Sequence, residues 1–257
     1  MQYFRIMGQE PVKFVIEMGL GACVEEWNIL THCLKDKGGV LVYERAGIGR
    51  SKSSDSLRTP DTIAKELHEL LGTVNHDTKI ILIAHSQGGL YAQQYIRMYS
   101  KEVKGLILEK MVNLKLGWLV KKMMKNAPPL YYAEFSKEDA DAILNSYTNK
   151  EHLKTCYQEY ICAHDKKNLQ GLINKGDFPN IPLTLITHSS KFAIEESMQF
   201  GNNSREFASR IEDMWQGIMK EYLDFSTMST FLQAEHSSHY IHLTEPELIV
   251  REAERML

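Results

Sequence analysis

Ser86 stands in the run Ala84-His85-Ser86-Gln87-Gly88-Gly89, and three histidines, His236, His239 and His242, fall within seven residues near the end of the chain. A serine hydroxyl becomes a competent nucleophile when an imidazole takes its proton, and the alkoxide-like intermediate then needs nearby N–H donors. The surroundings of Ser86 suit that role. Branched apolar residues, Ile80 to Ile83, precede it, and helix-forming sequence from Leu90 to Ile96 follows it. A strand that becomes a helix so abruptly leaves room only for small side chains two residues before and two after the turn, where Ala84 and Gly88 stand. The turn residue is held in a strained conformation, its side chain pushed clear of the sheet beside a helix N-terminus. Such a nucleophile elbow presents a serine for covalent catalysis.

For the base, the segment 234–247 places the histidine cluster in a loop between a short strand and a final helix. His239 is the expected base, because the small residues Ser237 and Ser238 precede it and Glu245-Pro246-Glu247 begins the helix after it. His242 reads as a helix-start residue packed beneath the site, and His236, His85 and His188 read as non-catalytic. The i, i+3, i+6 spacing of the cluster lacks a zincin-type glutamate, so no metal is expected. The glycine loop Gly19-Leu20-Gly21 follows a strand and lets backbone N–H groups face a ligand. Neither it nor Gly47-Ile48-Gly49 is a phosphate or dinucleotide loop, and no cofactor is expected.

The elements that would hold these residues are short apolar runs alternating with helical patterns. Strands are expected at 12–18, 40–44, 80–84 and 105–108, with helices at 25–34, 59–74 and 88–99. That alternation predicts an α/β fold with a mostly parallel central sheet flanked by helices, and ligands at the carboxyl ends of the strands. The rhythm breaks over 113–180, which carries helical pattern alone, including the block Lys121-Lys122-Met123-Met124-Lys125. It resumes with a strand at 181–187, a helix at 204–224, a strand at 230–234 and a helix from 245. The expected organisation is a core of 1–112 and 181–257 with an inserted helical cap, or lid, of 113–180.

Composition excludes several other functions. With 257 residues and a net charge of −3, the chain lacks the basic excess of a nucleic-acid surface. Its four cysteines, Cys23, Cys33, Cys156 and Cys162, form no CxxC pair. The N-terminus has no signal-peptide core, and no apolar run approaches the length of a membrane span. A cytoplasmic protein acting on a small molecule is expected.

Four motifs in order carry a resemblance: Glu17-Met18-Gly19-Leu20-Gly21, Tyr43-Glu44-Arg45-Ala46-Gly47-Ile48-Gly49-Arg50-Ser51, Ala84 to Gly89, and His239 to Leu248. The chain resembles the α/β-hydrolase fold family, in particular bacterial esterase-like serine hydrolases, over everything but the cap. The resemblance implies an oxyanion hole from the backbone N–H groups of Leu20 and Gln87, and hydrolysis of a carboxylic ester, lactone or amide. It disfavours dehalogenation, whose branch uses a carboxylate where Ser86 stands. Met18 replaces the histidine usual before that hole.

The acid of the catalytic triad departs from the pattern. The family usually supplies it after the strand ending at Thr187, where this chain reads His188-Ser189-Ser190-Lys191. Some relatives supply it after the preceding strand, which brings Lys110 to the position and Glu109 one residue early. A one-residue slip reverses the face of a strand, so Glu109 serves only if the strand ends or bulges there. Glu109 is the expected acid, and Glu195 and Glu196 are further candidates. The missing acid keeps open a second class, a non-catalytic small-molecule receptor of the same fold, although a dyad without its acid still retains part of catalysis. The methionines of the cap suit an adaptable wall for an apolar acyl or alkyl group, and its lysines suit an ordinary solvated helix face.

Overall fold

The computed structural model describes residues 1–109, 135–165 and 175–257. Seven strands form one sheet in the order β1-β3-β2-β4-β5-β6-β7. They are β1 (Phe4–Met7), β2 (Val12–Glu17), β3 (Gly39–Tyr43), β4 (His76–His85), β5 (Val103–Glu109), β6 (Leu183–Thr187) and β7 (Ser229–Gln233). Only β1 pairs antiparallel; the other pairings are parallel. The mostly parallel sheet read from the sequence is therefore observed. Its central strands are runs of Ile, Val and Leu because both faces are covered by helices. The short antiparallel edge β1 was not anticipated.

Alternation along the strands sorts two cores. Val15, Leu82, Ala84, Leu106 and Leu108 pack with α2 (Pro60–Leu71) and α3 (Gly88–Met98). Ile16, Ile81, Ile83 and Ile107 pack on the other face with α1 (Asn28–Leu34), and with Ile249, Ala253 and Met256 at the C-terminus. A 3-10 turn at Val24–Trp27 precedes α1, so the expected helix over 25–34 is divided. Helix α2 starts where Thr59 accepts the Thr62 N–H at 3.2 Å and Pro60 pre-sets the first turn. Its buried stripe of Ile63, Leu67, Leu70 and Leu71 explains the spacing seen in the sequence.

Within the expected cap, residues 135–165 hold α4 (Lys137–Thr148) and α5 (Lys150–His164), capped by Ser136 and Asn149. The Lys-Met block lies outside the described residues. After β6 come α6 (Ser190–Gly201), not anticipated, and α7 (Arg205–Lys220). The single-turn α8 (Ile241–Thr244) and α9 (Pro246–Met256) follow β7. No helix among the described residues is long and apolar enough to cross a membrane.

Candidate active site

Ser86 sits between the end of β4 and the start of α3 with φ of 52°, a left-handed conformation that a non-glycine residue adopts at a cost of about 1–3 kcal/mol. The surroundings enforce it. The Ser86 N–H donates to the Glu109 carbonyl at 3.0 Å, tying the turn to the end of β5. At Gly88 a Cβ would stand 2.3 Å from the Glu17 carbonyl oxygen and 2.4 Å from that of Met18, so the helix can start there only on a glycine. The first glycine loop lies directly against the serine: a Cβ on Gly19 would be 3.4 Å from the Ser86 Cβ and 2.9 Å from His85 Nδ1.

That loop is gripped from behind by the buried Arg45. Its Nη1 donates to the Met18 carbonyl at 2.6 Å and to Glu17 Oε1 at 2.9 Å; its Nη2 donates to the Gly19 carbonyl at 2.8 Å. Glu159 of α5 closes the fork, accepting from Nε at 2.9 Å and from Nη2 at 2.8 Å. The Gly19 C=O and the Leu20 N–H belong to one planar trans peptide, in which the two bonds point opposite ways. Holding the Gly19 oxygen against the guanidinium therefore turns the Leu20 N–H away from it. Burial pushes the Glu17 carboxyl up to about 7, against the pull of Arg45 and of the Tyr43 hydroxyl, which donates to it. On the other side Gln87 begins α3, its side chain donating to the Tyr91 hydroxyl at 2.6 Å.

His85 and Glu109 are register partners on adjacent strands, both on the face of Ile83 and Ile107. Glu109 is fully buried, and its Oε1 accepts from the His242 backbone N–H at 2.9 Å and from His242 Nδ1 at 2.7 Å. Burial works to raise its pKa, but His242 and His85 outweigh that and hold it below the usual carboxylate range. Trp27 stacks on His242 at 3.9 Å with an interplanar angle of 9°, and the His85 ring meets it edge-on at 4.9 Å. His242 is thus buried at the start of α8, stacked on Trp27 and bonded to Glu109. His239 stands in the loop before α8, half-buried, its ring 4.9 Å from that of His85 and its carbonyl 3.1 Å from His85 Nε2.

The structure sets the Gly19 turn, next to Leu20, against Ser86, next to Gln87, and sets His239 beside His85. It gives the hydrogen bonds of Glu109 to His242, where the sequence reading had set Glu109 behind His239. The physical reason is register: Glu109 lies two residues after Ile107 and points with it toward Trp27. Glu195 is exposed on α6 and Glu196 half-buried there. His236 is exposed, and His188 pairs with Glu212 at 2.9 Å. Among the described residues, His85, Glu109 and His242 offer ligand atoms within 4.8 Å of one another. The hydrogen bond between Glu109 Oε1 and His242 Nδ1 joins two of the three. Residues whose structural role the sequence reading missed are Trp27, Arg45 and Glu159; Arg45 lay inside a quoted motif, whereas nothing near Glu159 in the sequence marks it.

A mostly parallel sheet with a strained serine between β4 and α3, against a glycine loop, defines an α/β hydrolase. The chain belongs to the Hydrolase_4 family, described as serine aminopeptidase, S33, whose model matches residues 16–170. It is 27% identical over 246 residues to the uncharacterized protein YqjL of Bacillus subtilis (strain 168), covering 94% of this chain and 82% of that protein. An AB hydrolase superfamily protein of Gibberella zeae is 25% identical over 288 residues, covering 98% and 88%. Among solved structures, the epoxide hydrolase CorEH without ligand superposes with a TM-score of 0.73 over 99% of this chain and 94% of that one, at 15% identity, a likeness of fold.

Proposed function

We propose that the protein is a serine hydrolase of small carboxylic esters, with lactones or amides as related substrates, acting through an acyl-enzyme on Ser86. The observation that carries this reading is the left-handed serine at the β4–α3 junction with the Gly19–Gly21 loop packed against it. In the proposed cycle His239 takes the Ser86 proton as Oγ attacks the carbonyl carbon. The N–H groups of Leu20 and Gln87 hold the oxyanion, and His239 returns the proton to the leaving oxygen. Water then cleaves the acyl-enzyme by the same path.

His239 is preferred as base because it is half-buried on the loop, whereas His242 is closed in by Trp27, His85 and Glu109. Glu109 acts in this reading as a positioning residue: it fixes the start of α8 through His242, and His85 holds the His239 carbonyl. A second reading makes His242 the base and Glu109 its acid, favoured by the 2.7 Å contact at Nδ1. Cys23 and Ile143 pack with Tyr147 and Tyr240 in a small apolar cluster next to the His239 loop, which suits an apolar acyl or alkyl group met in the cytoplasm. The test is turnover of p-nitrophenyl esters by wild type and by the Ser86→Ala, His239→Ala and His242→Ala variants. The proposal expects near-complete loss at Ser86 and His239 and a smaller loss at His242. A reversed order of the two histidines would install the second reading, and unchanged turnover in Ser86→Ala would remove both.

A further inference from the structure

Helix α5 lies across both glycine loops. A Cβ on Gly47 would stand 2.3 Å from Thr155 Oγ1, and one on Gly21 would stand 2.9 Å from Cys156 Sγ and 3.3 Å from His152 Nε2. Both glycines have positive φ, +83° and +69°, so these loops have no side chains where the helix meets them. Into that space His152 projects a ring that is 1% exposed.

The ring's protonation pattern follows from its partners. The Gly49 N–H donates to His152 Nδ1 at 3.0 Å, so Nδ1 carries a lone pair and not a hydrogen. Burial holds the imidazole below the usual histidine range, which keeps it neutral. The hydrogen is therefore on Nε2, and that buried Nε2 has no hydrogen-bond partner among the described residues. Buried N–H groups are nearly always satisfied, and one that is not calls for an acceptor from outside the chain. This donor lies beside Cys156 Sγ and Tyr147 where they meet Gly21, one residue after Leu20, whose N–H is the proposed oxyanion donor. The carboxylates of Glu159 and Glu44 act on the same ring, which disfavours an anionic acceptor.

We infer that His152 Nε2–H is a substrate-binding donor that recognises an uncharged oxygen, an ether or ketone, in the part of an ester lying over Gly21. The inference rests on the proposed ester hydrolysis and adds its specificity: oxygen-bearing acyl groups are preferred to plain alkanoyl ones.

The test uses two matched pairs of p-nitrophenyl esters, methoxyacetate with butyrate and 4-oxopentanoate with pentanoate. Each pair differs by an oxygen at nearly constant length. Intrinsic reactivity differs within a pair, so the quantity read is the change in the kcat/KM ratio between wild type and variant. His152→Asn keeps an acceptor for Gly49 but loses the remote donor; His152→Gln retains a remote amide donor. In at least one pair the ratio should fall about tenfold in His152→Asn, chiefly through KM, and recover in part in His152→Gln, since a neutral hydrogen bond is worth about a factor of ten at most. The same preference should appear as a Kd ratio for the intact esters on Ser86→Ala protein, measured by calorimetry, a readout that needs neither turnover nor a variant at His152. Wild-type-like ratios in His152→Asn for both pairs, or equal Kd values within both pairs, overturn the inference. Failure of wild type to hydrolyse any of the four esters would instead count against the ester-hydrolase reading.

Discussion

Replacing Glu109 by Gln tests the buried pair most sharply. The wild-type carboxylate accepts two hydrogen bonds from His242 through Oε1, while Oε2 has no hydrogen-bond partner among the described residues. An amide of the same shape keeps the two contacts but makes them neutral, a loss of about 1–2 kcal/mol given the greater strength of charge-assisted bonds. It also places an NH2 where Oε2 stands, a buried donor without acceptor that costs about 1–3 kcal/mol. Together these predict a destabilisation of about 2–5 kcal/mol, or a Tm lower by roughly 4–20 °C for a chain of this size. The pH dependence has a definite sign. A carboxyl whose folded pKa lies below its unfolded value contributes stability that is present above the unfolded value, about 4.3, and lost as pH falls through the folded one. The difference in urea midpoint between wild type and Glu109→Gln should be constant from neutral pH down to about pH 5 and narrow below that. Kinetics separate the two roles: a positioning residue predicts a fall in kcat of about tenfold, a triad acid a fall of about 10⁴. Equal stability of the two proteins, or a difference that ignores pH, would refute the pairing on which this reasoning stands.

Arg45→Lys should lower kcat by about one to two orders of magnitude with KM little changed, because a lysine cannot hold the Gly19 oxygen and Glu159 in one fork; steady-state ester kinetics read this out. Gly88→Ala should yield little folded protein, since its Cβ would fall 2.3 Å from the Glu17 carbonyl oxygen, and soluble yield with circular dichroism checks it. If α4 and α5 belong to a lid, as proposed, residues 137–164 should exchange backbone hydrogens faster than residues 80–108 of the sheet, because lids are drawn from the less stable parts of a fold; uniform slow exchange would make α4 and α5 part of the core.

The sheet and the serine turn were legible because each follows from a local rule. Branched apolar runs mark strands buried on both faces, and a serine between small residues at a strand–helix junction marks the turn. What local reading missed depends on register and on distance in the chain. Glu109 was singled out by its place at the end of β5, yet only its alternation with Ile107 tells that it faces Trp27 and His242. Its pairing with His85 across β4 and β5 repeats the same alternation from Ile83, so that signal was present in the spacing. Glu159 lies 114 residues from Arg45 in the chain and is seen as its partner only once α5 is laid over the glycine loops. The edge strand β1 was overlooked because its four residues, Phe4-Arg5-Ile6-Met7, are all half-buried and give no full apolar run.

The central claim is that Ser86 is a nucleophile made reactive by His239. Treatment with a fluorophosphonate probe, followed by proteolysis and mass spectrometry, reads both parts at once. Wild type and His242→Ala should carry the phosphonyl group on Ser86, and His239→Ala should label far more slowly. An unlabelled Ser86 in folded wild-type protein would contradict the account and favour a non-catalytic receptor built on the same fold.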